Sequence, residues 1–157
     1  MITTKLNLRG FSNLARRIKT LAATKVKVGF FEGDVYEDGM PVATVAAYNE
    51  FGTSFHPERP FIRDTLQDRQ TRKLLMKGLM AAARATVHNT GGARRILAAL
   101  GKIVSEEIKV TIANYPGNNS PRTIAAKGFD RPLYETGKML ESVKFKIGKG
   151  GLGGALG

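Results

Sequence analysis

Catalysis and metal binding need particular side chains at particular spacings, and this 157-residue chain holds few of them. Cysteine is absent, which removes disulfides, thiolate metal ligands and a cysteine nucleophile. There are two histidines. His56 falls in a proline-bounded segment. His88 ends a helical stretch, where an imidazole meets the last carbonyls. No metal-ligand spacing joins them. Gly101-Lys102 and Gly137-Lys138 invite comparison with a phosphate loop. Ahead of Gly101-Lys102 the required glycine is replaced by Ile96, and Ile103 stands where Ser or Thr is needed. Ahead of Gly137-Lys138 the same positions are Pro132 and Met139. Glu106 and Glu107 are adjacent, so on a helix they diverge and form no acid/base pair. The residues therefore predict no enzyme, no cofactor and no metal.

What the chain does carry is charge. Lys and Arg number 25 against 13 Asp and Glu, a net charge of +12, and the pI is near 10.2. Such an excess fits a polyanionic partner, nucleic acid or an acidic protein, or a solvated surface. Residues 1–50 carry a net +2, 51–90 a net +4 and 91–157 a net +6. Against that trend stands an acidic knot, Glu32, Asp34, Glu37 and Asp38. An acidic loop on a basic body can associate head-to-tail with copies of itself. No apolar run approaches the roughly 18 residues of a membrane span, since residues 74–87 are interrupted by Lys77, Gly78 and Arg84. The first residues lack the basic-then-apolar pattern of a signal peptide. The expected setting is a cytoplasm, or a particle assembled there, and the Asn118-Asn119-Ser120 sequon reads as a chance match.

The elements that would position these groups are legible as patterns. A hydrophobic fraction of 42% supports one packed domain. Residues 7–22 read as an amphipathic helix with the stripe Leu8, Phe11, Leu14, Ala15, Ile18 and Leu21; Gly10 weakens its first turn. Residues 25–31 alternate as a strand, Val26, Val28 and Phe30 on one face, Lys25 and Lys27 on the other. Residues 42–51 form a short helix ended by Gly52, a left-handed cap for the last carbonyls. Pro57 and Pro60 make residues 53–60 extended. Residues 68–88 are one long helix with Leu75, Leu79, Ala82 and Val87 inward and Met76 and Met80 filling gaps. After the break at residues 89–92, residues 93–112 resume the period with Ile96, Leu100, Ile103, Val104, Ile108 and Ile112. That is a helical hairpin, or one helix kinked at Gly91-Gly92. Ser120-Pro121 starts a short helix ended by Gly128, and Thr136 caps another. Residues 144–147 close the fold as a strand, Val143, Phe145 and Ile147 on one face. Two strands alone are marginal, so a third is expected from residues 33–42 or 53–62 or from another subunit. The fold class is α+β: a helix-rich single domain over residues 1–147, a small mostly antiparallel sheet, a long helical hairpin, and a flexible glycine-rich tail over 148–157, where 6 of 10 residues are glycine.

Three segments carry more than secondary structure: residues 45–53, with Tyr48-Asn49-Glu50-Phe51-Gly52; residues 57–63, with Pro57, Arg59, Pro60, Phe61 and Arg63; and residues 120–143, with Pro132, Thr136, Gly137, Leu140 and Ser142. In this order and spacing, over roughly residues 25–147, they resemble a family of tailed-bacteriophage neck and tail-completion proteins, also described as head–tail joining, minor tail or virion-morphogenesis proteins. Glu135 departs from the family pattern, which usually has Asp there. The resemblance implies a non-enzymatic virion component at the neck, or head-proximal tail end, working in a ring, sixfold first and twelvefold second. Its implied partners are itself and neighbouring tail terminator, tail tube or connector proteins. Assembly would take place in the host cytoplasm. Tyr48, Phe51, Arg59 and Phe61 are the expected interface anchors. Lys144, Lys146 and Lys149 are the basic residues expected to face genomic DNA along a lumen, without base-specific contact. The alternative is a basic, sequence-nonspecific nucleic-acid-binding protein acting outside a virion.

Overall fold

The computed structural model describes residues 9–117, 119–134 and 136–149. Leu8, Asn118, Glu135 and the glycine-rich stretch from residue 150 onward lie outside them. The chain is helix-rich with one small sheet, an α+β domain. In order it forms α1 (Arg9–Ala22), β1 (Thr24–Gly29), α2 (Val42–Phe51), α3 (Phe61–Gln67), α4 (Arg69–Val87), α5 (Ala93–Ala113), α6 (Pro121–Lys127), α7 (Lys138–Glu141) and β2 (Lys144–Lys149).

The strands pair antiparallel, Val26 opposite Ile147 and Val28 opposite Phe145. These four turn inward against α5, and Lys27 and Lys146 face each other on the outer side. Among the described residues no third strand joins them. Residues 33–42 contribute only the bridge between Val35 and Pro41, and residues 53–62 none. The sheet is supported instead by a helix at close range: a Cβ on Gly101 of α5 would lie 2.7 Å from Val26 and 2.8 Å from Phe145. β2 also runs through Gly148 and Lys149, so the boundary drawn at residue 148 is too early.

α4 and α5 form the antiparallel hairpin. The chain turns at Asn89, Gly91 and Gly92, all with positive φ, which excludes the kinked single helix. Gly78 faces Leu100 across the hairpin. The expected 68–88 helix is α4: Asp68 leaves helical geometry as its N-cap, accepting the Thr71 N–H at 2.8 Å, and His88 is its C-cap. The inner face of α4 also differs from expectation. Thr71, Ala82 and Thr86 are buried, while Met76, Leu79, Met80 and Val87 are exposed. Small residues face inward because α5 lies close.

α5 is the spine. Toward its C-terminal half Val104, Ile108 and Ile112 pack with Val42, Ala46, Phe61, Leu133, Met139 and Val143; toward its start Leu97 and Leu100 pack with Ala82, Leu21 and Val26. α1 buries no residue fully, and Phe11 and Ile18 of its apolar stripe are exposed. Ser120 caps α6 and Gly128 ends it in the left-handed region, as expected.

Candidate functional site

The three sequence segments meet in space at the end of α2. Glu50, on its last turn, is 4% exposed. Its Oε2 accepts the Ile62 N–H at 2.8 Å, and its Oε1 accepts the Arg63 N–H at 3.1 Å. Both N–H groups belong to the first turn of α3, where no partner exists within the helix. Pro60, the preceding residue, supplies no side-chain cap. A carboxylate from another helix therefore caps α3.

Arg63 closes the unit. Its Nε donates to Glu50 Oε1 at 3.1 Å, and its Nη2 donates to the Glu50 carbonyl oxygen at 2.6 Å and to Glu58 Oε2 at 3.1 Å. The hydrogen bond to Glu58, then that to Glu50, raises the Arg63 pKa above the ordinary arginine value; desolvation opposes the rise. The guanidinium also lies 5.8 Å from the centre of the Phe51 ring. Asn49 works in parallel. Its carbonyl oxygen accepts the Arg59 N–H at 2.6 Å, its Oδ1 accepts from Arg59 Nη1 at 3.4 Å, and its Nδ2 donates to the Val45 carbonyl oxygen at 2.9 Å.

Gly52 has positive φ, as a terminating glycine should, but its ψ is 175° rather than the small positive value of a left-handed cap. Its service is close approach: a Cβ at Gly52 would lie 2.9 Å from the Glu58 nitrogen and 3.2 Å from the His56 carbonyl oxygen. Residues 53–56 are not extended. They form a tight turn in which Thr53 Oγ1 accepts the Phe55 and His56 N–H groups, and His56 Nδ1 lies 3.3 Å from that hydroxyl. Pro57 is exposed and Pro60 half-buried.

Two expected interface anchors are tied into the frame, and one of them, Phe61, is interior. Phe61 is fully buried and meets Phe30 edge to face, with ring centres 6.1 Å apart. Arg59 is half-buried and held to Asn49. Tyr48 and Phe51 are exposed, at 52% and 71%, and Phe55, which sequence reasoning missed, is 90% exposed.

The third segment packs beside α2. Pro132, Gly137 and Ser142 are buried, Leu140 is half-buried, and Thr136 is exposed. Thr136 Oγ1 accepts the Lys138 N–H at 3.3 Å, while Gly137 in the left-handed region takes the cap position itself. A cleft of about 90 Å³, lined in part by Val45, Asn49, Pro132, Thr136 and Gly137, joins the first and third segments.

The candidate DNA-facing lysines do not form one set. Lys144 Nζ pairs with Asp34 at 2.7 Å, and Lys146 Nζ sits 4.2 Å above the Phe31 ring centre. Lys149 pairs with Thr24 and shares the inward parity of Phe145 and Ile147, so the expected common outer face is wrong for it. The outer face instead joins Lys144 and Lys146 to Lys25 and Lys27. Alternation had placed those two on one side, but pairing was needed to align them with β2.

Among the described residues no group of three or more His, Cys, Asp or Glu is placed to hold a metal, and no helix is long and apolar enough to cross a membrane. No family model, curated protein or solved structure matches the chain.

Proposed function

We propose that the chain is a structural virion protein of a tailed phage, part of a ring that completes the head-proximal end of the tail and helps join tail to head. The observation that carries this reading is the use made of the motif residues. Glu50, Asn49, Arg59 and Arg63 are occupied in tying α2, the 53–60 segment and α3 together. A site of chemistry keeps a polar group directed at an open position; here the polar groups hold backbone, and aromatic side chains stand on the frame they make. Exposed aromatics on a rigid frame suit contact with a neighbouring subunit. Sixfold symmetry is the leading arrangement and twelvefold the second, with tail terminator, tail tube or connector proteins as neighbours and no catalytic step. The setting is the virion neck, reached from the host cytoplasm. Light-scattering mass of the purified chain, alone and with the tail-terminator protein, tests this. A complex larger than the monomer is expected, and a strictly monomeric chain in both cases overturns the reading.

The outer sheet face supports the second reading, a basic nucleic-acid-binding protein acting outside a virion. Lys25, Lys27 and Lys146 lie on one exposed surface there. Tight binding of duplex DNA by the free monomer at about 0.2 M salt, where weak multi-phosphate contacts fail, would favour it over the virion role.

A further inference from the structure

Charge that looks graded along the sequence is segregated in the fold. Residues 9–31, 69–105 and 142–149 carry 17 Lys and Arg and no Asp or Glu. They form α1, β1, α4, the first half of α5 and β2. Residues 32–68 and 106–141 carry 7 Lys and Arg and all 13 acids. They form the acidic loop, α2, α3, α6, α7 and the last half of α5. The acid-free elements pack on one another, α4 on α5, α1 on α4 and both strands on α5, so their basic residues gather on one body, while the remaining elements are net acidic.

Each half presents a surface of matching form. On the basic half, the outward side of α4 carries Lys73, Lys77, Met80, Arg84 and Val87 at spacings of three and four, all exposed. Among the described residues none of these cations joins an ion pair. A shallow trough of about 560 Å³ runs along this side, floored by Met80, Ala81 and Ala85 between Lys77, Arg84 and His88. On the acidic half, residues 32–41 form a stiff knob. Val35 bridges Pro41, the Tyr36 N–H donates to the Met40 carbonyl oxygen at 2.9 Å, and the Met40 N–H donates to Asp38 Oδ1 at 3.0 Å. Glu32, Glu37 and Asp38 are exposed on it together with Val35 and Met40.

We propose that the trough on α4 is a docking surface for the acidic loop, residues 32–41, of a second copy of this chain. Charges of opposite sign would steer the two surfaces together, and Val35 and Met40 would cover Met80 and the alanines beside it. Exposed methionine and alanine between cations suit an acidic protein surface better than phosphate backbone, which offers no apolar partner. The knob is ordered beforehand by its own hydrogen bonds, so little conformational freedom is lost on docking. The contact joins different surfaces of the two copies, the head-to-tail type that forms a ring when the rotation between copies closes. The inference rests on the assembly reading above and assigns the surfaces by which it would occur.

The test is a charge exchange read by sedimentation at about 0.05 M salt, where screening between exposed charges is weak. One variant carries Lys73→Glu with Lys77→Glu; the other carries Glu32→Lys with Glu37→Lys. Asp38 is left intact because it shapes the loop. The wild type is expected to self-associate, and each variant to do so on the order of tenfold more weakly. Mixed one to one, the variants regain assembly, since the acidic trough of one accepts the basic loop of the other. Should the trough variant fail to fold, the loop variant tests the same contact. Unchanged association of both variants overturns the surface assignment and leaves the ring standing. A wild type that stays monomeric alone but binds a tail partner overturns the second copy as occupant and leaves the virion role standing. Loss of duplex binding by the trough variant, with no self-association of the wild type, would assign the face to a polyanion instead.

Discussion

Removing the Glu50 carboxylate would leave two N–H groups at the start of α3 unpaired in a partly buried place and the Arg63 guanidinium without its inner partner. Glu50→Ala is therefore expected to destabilise the fold by about 1–3 kcal/mol, the range for orphaned donors, with little added by the ion pair because Arg63 is 45% exposed. Glu50→Gln keeps the shape and one acceptor, so its loss should be clearly smaller. Chemical denaturation of both variants checks the order, and equal losses would mean that volume rather than hydrogen bonding is at stake. Gly52 is a second such residue. With φ at 71°, ψ at 175° and the Glu58 backbone in the way, both Gly52→Ala and Gly52→Val should destabilise the fold by about 1–3 kcal/mol for the backbone strain alone, read as a lower melting midpoint. An unchanged midpoint for Gly52→Ala would show that the segment yields. The glycine itself was legible as a helix terminator. Its partner was not, because a contact with the backbone six residues on leaves no periodic trace.

At the scale of elements the Asp68 cap carries a pH signature. The Thr71 N–H, above all, holds the Asp68 carboxyl below its ordinary value of 3.8, against a desolvation effect of opposite sign. The folded pKa lies below the unfolded one. The cap's stabilisation is therefore present above the unfolded value and is lost as pH falls through the folded value. Asp68→Ala should melt below the wild type at pH 7 and at about pH 5, and the gap should close as the pH drops under about 3.8. A gap that persists in acid would mean that the side chain acts by something other than its charge. This cap also separates α3 from α4: the chain leaves helical geometry at Asp68, the residue at which the periodic stretch begins. The strands and the hairpin were legible because alternation and the Asn-Thr-Gly-Gly break are strong local signals. The inner face of α4 was not. Its packing is decided by the closeness of α5, which puts Gly78 and Ala82 inside and turns the methionines out. The expected third strand followed from the weakness of a two-stranded ribbon, and Gly101 supplies the support by another route, letting α5 lie directly on Val26 and Phe145.

Across the whole molecule the outer sheet face and the α4 trough are separate basic surfaces, and they call for separate tests. The acid-free stretches, with their 17 basic residues, are separated in sequence by the acidic ones, and only the packing of α4, β1 and β2 on α5 and of α1 on α4 brings them together. On the sheet, Lys27 stands directly opposite Lys146. Like charges so placed repel, and Lys146 turns its ammonium onto Phe31. A phosphate backbone laid along this face would relieve that repulsion. Lys144 already has Asp34, and Lys149 belongs to the other side. If DNA passes this face in an assembled ring, the free monomer should bind duplex weakly, without sequence preference, and lose it by about 0.2 M salt. Its log affinity should fall with log salt at about −0.9 per phosphate neutralised. Lys27→Glu with Lys146→Glu should remove about that slope for each lysine, whereas Lys149→Glu should change it little. Fluorescence anisotropy of a labelled duplex across a salt series measures this directly. Equal effects of Lys149 and Lys146 would mean that the free protein holds DNA by its net charge alone, with the sheet playing no special part.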